Sequence, residues 1–427
     1  MKKRLTLPKI LSLVVLGGLL TLLGLNLFGN SEKQIKQEIL HRYSVEDPQF
    51  ARSMGVLLGP PLAAGNRVDT LLNGEQIFPA MLSTIKDAQK TITFETYIYW
   101  SGDVGRQFAD ALSQRARAGV KVHILVDWLG SQKMEQQLLD EMKQAGVQIR
   151  QYHPLRWYSL DRMNNRTHRK LLVTDGKVAF TGGVGIADNW AGHGQDKDHW
   201  RDTHYRLQGP AVAQMQAAFN DNWLKVSGAV LHGDEYLPPL EAAGEMRAQV
   251  FHSSPEGGAE SMHLMYLLSL AAATRSIDLS MAYFVPDDLA LEALEAALKR
   301  GVKVRIIMPG PITDAKPVRS ASRALWGRIL EAGAEIYEYQ PTMYHCKILV
   351  VDGLWVSVGS TNFDNRSFRL NDEANLNVMD ADFARRQAAD FEQDLKKSRR
   401  VTLEEWAGRP WHEKALEHFL ALFKAQL

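Results

Sequence analysis

Two short segments of this chain carry the same polar residues at the same spacing. THRKLLVTDGKVAFTGG places His168, Lys170 and Asp175, YHCKILVVDGLWVSVGSTN places His345, Lys347 and Asp352, and both fit H-x-K-x4-D-x6-G. Alternate residues of a strand share a face, so each His and its Lys present two polar groups to one ligand. Two copies brought to one point would supply two imidazoles and two ammonium groups. That set suits a phosphodiester. One imidazole attacks phosphorus to give a phosphohistidine while the other, protonated, gives its proton to the leaving alkoxide. The lysines offset charge on the non-bridging oxygens. A single His-x-Lys would be an ordinary surface strand, whereas two complete copies at matching places point to a site. Asp175 and Asp352 are counted with the catalytic motif, although each precedes a Gly in a turn and so has a partly structural role.

The elements that must position these residues also come twice. AQKTITFETYIYW, from Ala88, leads through a helical stretch to AGVKVHILVDW, and ATRSIDLSMAYFV, from Ala273, leads through LALEALEAALKRGVKVRIIMPG. Each reads as a strand rich in β-branched and aromatic residues, an amphipathic helix, a Gly turn and a second strand. Such a βαβ unit implies parallel strands and a right-handed crossover. AGVQIRQY and AGAEIYEY then follow in step, each ahead of its His-x-Lys strand, and the first half alone carries the extra stretch HPLRWYSLDRMNNR. A dissimilar join with Pro238, Pro239 and Gly244 separates the copies.

On these motifs the chain resembles the phospholipase D superfamily, whose double HKD signature has this form. ETYIYW, GGVGIADNW and NFDNRSFRLNDEANL, with an N-terminal apolar run, make it most similar to the bacterial cardiolipin synthases. The resemblance implies an α/β fold of two phospholipase D-like repeats packed as a pseudo-twofold pair. It implies transfer of a phosphatidyl group from phosphatidylglycerol to an alcohol on a second lipid, with neither cofactor nor metal. Gly359, Ser360 and Asn362 match the family's G-S-x-N, where small residues let backbone N–H groups approach an anion. The first copy has Gly182 and Gly183, then Gly185 in place of an Asn, so it uses backbone donors or recruits Asn189. In the family an acid downstream supports a catalytic His, a role that falls to Glu373 and Asp202. Three functions stay open: a membrane-anchored phosphatidyltransferase, a hydrolase of lipid or nucleic acid using the same site, and a lipid-binding scaffold. All four His and Lys are present, which disfavours the scaffold.

Composition narrows the classes further. Of 427 residues, 50 are Lys or Arg and 49 Asp or Glu, a net charge of +1, so no basic field exists to hold duplex DNA and no nucleic-acid partner is expected. The single cysteine, Cys346, excludes an internal disulfide and alternates away from the His-Lys face, as a buried structural thiol would. His193, His199 and His204 lie near Asp196, Asp198 and Asp202 in sequence, but their spacing matches no common metal signature.

The N-terminus is basic, with Lys2, Lys3, Arg4 and Lys9, and Ile10 to Phe28 is free of charge. That run is long enough to cross a bilayer as a retained anchor, and the positive-inside rule puts the body on the outer face of a bacterial cytoplasmic membrane. The expected organisation is an anchor over residues 1–29, a connector over 30–64, a first half over 65–226, a linker over 227–247, a second half over 248–395 and an amphipathic segment over 396–427. In this last segment Leu416, Phe419, Leu420, Phe423 and Leu427 recur at three- and four-residue steps behind Trp406 and Trp411. The stripe either docks on the second half and completes its core or lies in a lipid headgroup layer.

Overall fold

The computed structural model describes residues 35–154, 165–255 and 260–426, with a few positions between 9 and 21. Most of the expected anchor and part of the extra first-half stretch lie outside the described residues. Among those described, no helix is long and apolar enough to cross a membrane.

The first half contributes strands β1 (Ala63–Leu72), β2 (Thr91–Thr96), β3 (Lys121–Asp127), β4 (Gln148–Tyr152), β5 (Leu171–Thr174), β6 (Val178–Gly182) and β7 (Thr203–Gln208). The second contributes β8 (Met246–Ser253), β9 (Ser276–Met281), β10 (Lys303–Pro309), β11 (Glu335–Tyr339), β12 (Lys347–Val351), β13 (Trp355–Gly359), β14 (Asn371–Met379) and β15 (Ser398–Val401). All fifteen join one sheet, with β1 and β8 paired antiparallel at its seam. Outward from the seam the order is β1-β7-β6-β5-β2-β3-β4 on one side and β8-β14-β13-β12-β9-β10-β11 on the other. Strand for strand, the repeat is present.

Both expected βαβ units form. The helix Asp103–Arg117 connects the parallel strands β2 and β3, and the helix Asp288–Lys299 connects β9 and β10. The second helix starts where Asp287 accepts a hydrogen bond from the Ala290 N–H at 2.9 Å and then buries Leu291, Leu294 and Ala297 on one stripe. β2 is buried on both faces, as a strand covered by helices must be. Besides a core within each half, a third cluster runs across the seam and brings Val68, Tyr205 and Phe219 together with Tyr344, Val356 and Phe383. Cys346 is fully buried in this cluster.

Both ends of the described chain do more than connect. The helix Pro48–Leu58 packs on the second half, where the Phe50 ring meets the Trp355 indole edge-on at 4.9 Å. The C-terminal segment first adds β15 antiparallel to β11, then forms the helix Trp411–Ala421 against the helix Lys316–Glu331. The expectation that its apolar stripe completes the core is overturned. Glu417 faces inward, 2 % exposed, and pairs with Arg323 and Arg409 at 3.1 and 3.2 Å. Trp411, Leu416, Phe419 and Phe423 face outward, Trp411 at 79 % exposure. Two arginines on the docking face need a buried carboxylate partner, and meeting that need turns the stripe to the outside.

Candidate active site

Each motif histidine sits just before a strand, β5 directly after Lys170 and β12 opening on Lys347, beside a strand end from the other half. The two-residue strand Arg166–Thr167 runs parallel to the start of β14, and the His168 N–H donates to the Asp372 carbonyl at 2.8 Å. In the second half Tyr344 bridges Arg201 in parallel, and the His345 N–H donates to the Arg201 carbonyl at 2.8 Å. This exchange of edges places Asp372 and Glu373 next to His168, and Arg201 and Asp202 next to His345.

Both imidazoles are held through Nδ1. That of His168 lies 2.9 Å from Glu373 Oε1, and that of His345 lies 2.7 Å from Asp202 Oδ2. A carboxylate at Nδ1 fixes the tautomer with hydrogen there and leaves the Nε2 lone pair for chemistry. Lys170 and Lys347 each donate from Nζ to the carbonyl of their own histidine at 2.7 Å. His168, Lys170, His345 and Asn362 line one cavity of about 780 Å³, and Lys347 stands within 3.3 Å of the His345 ring. Tyr97 meets His168 edge-on at 5.5 Å, and Trp190, Trp200 and Tyr283 surround His345.

The electrostatics differ between the halves. Burial, then Lys170 and Lys347, push the His168 pKa well below the usual imidazole value, so this ring is neutral near pH 7. Burial and Lys347 also lower that of His345, but Asp202 works against them. Burial alone would raise Asp202, yet the charge and hydrogen bond of His345 outweigh it and keep the carboxyl ionised. Glu373 is raised by burial and Lys170 lowered by it, so these two neighbours compete for one proton near neutrality.

The small residues after each motif serve the supporting acids. A Cβ on Gly183 would fall 2.2 Å from Asp202 Oδ1, so Gly is needed there to admit the carboxylate. Ser360, its counterpart, donates its hydroxyl to Glu373 instead. A Cβ on Gly182, at φ 154°, would strike the Thr203 carbonyl at 2.6 Å. Gly182, Gly183 and Ser360 therefore pack behind the histidines, and the expected direct phosphate cradle is corrected at these three positions. Asn362 and Asn189 do line the cavity.

Asp175 and Asp352 are also corrected. Neither lines the cavity. Asp175 accepts from the N–H groups of Gln89, Lys90 and Thr91 at 2.7–2.9 Å. Asp352 does the same for Thr274, Arg275 and Ser276 at 2.7–2.9 Å. Both residues have positive φ, 53° and 54°, in the turn beyond their strand, and they tie that turn to the start of β2 or β9. The motif aspartates anchor the far end of the strand that follows each His-Lys pair, one strand length from the chemistry.

The clustered histidines separate. His199 pairs with Asp196 at 2.7 Å, His193 lies 3.7 Å from Glu75, and His204 is buried on β7. Among the described residues no three His, Cys, Asp or Glu side chains come together as a metal site would require. Reading the motifs alone left out Tyr97, Trp200, Tyr283, Asp314, Arg166 and Arg366, all on the cavity wall. Two of them were within reach: Tyr97 lies in ETYIYW and Arg366 in NFDNRSFR, segments that already carried the family resemblance.

A two-repeat α/β sheet with paired His-x-Lys strands at its centre defines a protein of the phospholipase D superfamily. The chain belongs to the family described as "Cardiolipin synthase, PLD-like domain", whose profile matches residues 81–223 and 266–395. It is 35% identical over 351 residues to cardiolipin synthase 2 of Bacillus anthracis, covering 82% of this chain and 68% of that one. It is likewise 35% identical over 348 residues to the major cardiolipin synthase ClsA of Bacillus subtilis, covering 81% and 72%. Among solved structures, phosphatidylserine synthase from Haemophilus influenzae superposes with a TM-score of 0.68 at 15% identity, covering 88% of this chain and 98% of that one, a likeness of fold.

Proposed function

We propose that the protein is a phosphatidyltransferase that makes cardiolipin from two molecules of phosphatidylglycerol through a phosphohistidine. One observation carries this reading: two imidazoles, each with Nδ1 on a carboxylate, line one cavity together with Lys170, and Lys347 lies within 3.3 Å of the His345 ring. His168 Nε2 attacks the phosphorus of the donor, and the bond from phosphorus to the terminal glycerol oxygen breaks. His345, as imidazolium on ionised Asp202, gives its proton to that oxygen, and glycerol leaves. The terminal hydroxyl of the second phosphatidylglycerol then gives its proton to His345 and attacks phosphorus. The P–N bond breaks, cardiolipin departs and both rings return to their starting states. Lys170, Lys347 and Asn362 face the charge on the non-bridging oxygens. The neutral state of His168 and the ionised state of Asp202 support this division of roles.

The substrates are phospholipids, so the cavity must be reached from a lipid surface. The outward stripe of the helix Trp411–Ala421 is the surface that faces it. Gln426, five residues beyond this helix, lines the cavity, and Asn365 donates to the Lys424 carbonyl at 3.2 Å. The chain that leaves this helix therefore borders the site.

Water in place of the second lipid would give phosphatidic acid from the same intermediate. Purified protein supplied with phosphatidylglycerol, with products resolved by mass, separates the two reactions. Cardiolipin and glycerol in equal amounts support synthesis; phosphatidic acid alone means a hydrolase.

A further inference from the structure

The cavity is built for anions, yet two acids stand on its wall. Asp364 is taken up by the fold: it accepts the Ser367 N–H at 2.7 Å as the cap of the short helix Asn365–Arg369, and burial pushes it up to about 7. Asp314 is exposed, on the loop between β10 and the helix Lys316–Glu331. Among the described residues its carboxylate has one partner, the Tyr283 hydroxyl, which donates to Oδ2 at 2.7 Å and leaves Oδ1 open. No basic side chain among them pairs with it. A carboxylate in such a cavity repels phosphate, so an unpaired one serves some other part of the substrate.

The geometry says which part. The Tyr283 ring meets the imidazole of His345 edge-on at 6.4 Å, and its carbonyl accepts the Phe363 N–H at 3.2 Å. One fixed tyrosine ring thus separates Asp314 from the proton donor. The charge of Asp314 also reaches His345 and Lys347, where it works against the burial that lowers both. In an in-line displacement the leaving oxygen departs on the side opposite the nucleophile. With His168 attacking, that oxygen faces His345, and the headgroup attached to it lies among Trp200, Tyr283 and Asp314.

We propose that Asp314 recognises the glycerol headgroup, its open oxygen accepting a hydrogen bond from the middle hydroxyl. This rests on the synthase reading above and adds what selects the substrate. In the donor, the middle hydroxyl sits on the carbon next to the one whose oxygen leaves. In the acceptor, it sits next to the one whose terminal hydroxyl attacks. Both oxygens pass on the His345 side of phosphorus, so one carboxylate serves both steps. Water has no second hydroxyl to offer and gains nothing from it. An ammonium headgroup would meet Lys347 Nζ, 3.3 Å from the His345 ring, whereas a hydroxyl gives the carboxylate a charge-assisted hydrogen bond without that repulsion.

The test compares headgroups that differ by this one hydroxyl. Wild type, Asp314→Asn and Asp314→Ala are supplied with detergent micelles holding equal amounts of phosphatidylglycerol and of its propanediol analogue, which lacks the middle hydroxyl. Initial release of glycerol and of propanediol is measured together. Asp314→Ala should lower the ratio of glycerol to propanediol at least fivefold, within what a hydrogen bond to a charged group contributes, and Asp314→Asn, whose carbonyl still accepts, by less. A fall of less than fivefold in Asp314→Ala, whatever the absolute rates, overturns the proposal, since the carboxylate then acts on His345 and not on the headgroup. Faster release by wild type of ethanolamine from phosphatidylethanolamine than of glycerol from phosphatidylglycerol overturns it as well. Headgroup release is the first step of synthesis and of hydrolysis alike. Phosphatidic acid in place of cardiolipin would therefore remove the synthase reading and leave the headgroup ratio to decide the role of Asp314.

Discussion

The imidazole of His168 rests on the carboxylate of Glu373, 2.9 Å away in space and 205 positions away in the chain. His345 rests in the same way on Asp202, 143 positions before it. Each half supplies a histidine and the acid that orients the other half's histidine, so neither half contains a complete His-acid pair. The seam between β1 and β8 is thereby part of the active site.

The crossed pairing predicts which ring each acid controls. Glu373→Gln should move the ring ¹⁵N signals of His168 and leave those of His345 in place, with Asp202→Asn doing the reverse. Each change should slow transfer by roughly 10²- to 10⁴-fold, the range for loss of an orienting carboxylate. Histidine-labelled protein examined by NMR checks the assignment; a shift at the histidine of the same half would refute the exchange.

The two histidines should fail differently. His168→Ala and His345→Ala both abolish transfer from phosphatidylglycerol, since one step lacks a nucleophile and the other a proton donor. A donor with a nitrophenolate leaving group needs no proton to depart. On that substrate His345→Ala should still release a stoichiometric burst of nitrophenol and gain the mass of one phosphatidyl group, and His168→Ala should do neither. The opposite pattern assigns the nucleophile to His345.

Burial and two lysines hold His168 well below the ordinary imidazole pKa of 6.5, and His345 is also lowered, though Asp202 resists. The nucleophile must be neutral and the acid protonated. A lowered pKa keeps His168 neutral until the pH falls well below 6.5, while it leaves less imidazolium at His345 as the pH climbs above 6.5. In kcat/KM, which reports the free protein, activity should therefore rise as pH falls from 8 to 6.5 and collapse only further into acid. An acid limb centred at or above 6.5 would contradict the placement of His168 among these charges.

Much of this was legible in the chain. The repeat, the βαβ units and the convergence of His168, Lys170, His345 and Lys347 follow from periodicity and spacing, which are local. The exchange of acids was not legible, because Asp202 and Glu373 each follow their own half's histidine and only the meeting of the halves shows which ring they serve. For Asp175 and Asp352 a partly structural role was legible from the turn that each opens, but not what they hold. Both belong to the motif as written, but a strand separates them from the cavity, and their work is to bind three backbone N–H groups at its far end. The C-terminal stripe was left between two readings because its periodicity gives one apolar face and does not say which way that face turns. Arg323 and Arg409, outside the stripe, decide it.

That outward stripe leads to a prediction about where the protein works. Replacing Trp411, Leu416, Phe419 and Phe423 by Ser removes apolar area that already faces solvent, so the core and the Glu417 pairs with Arg323 and Arg409 stay intact. The melting temperature should be unchanged. Fully burying one such side chain in an apolar phase is worth about 1.5–3 kcal/mol, and partial burial of four suffices to weaken binding to vesicles by at least tenfold. Turnover of phosphatidylglycerol in vesicles should fall with that binding, whereas turnover of a short-chain phosphatidylglycerol below its micelle concentration should hold. Sedimentation with vesicles and the two assays distinguish the cases. Equal loss on both substrates, or a drop in melting temperature, means that the stripe meets protein, and the helix then has no part in bringing the cavity to the bilayer.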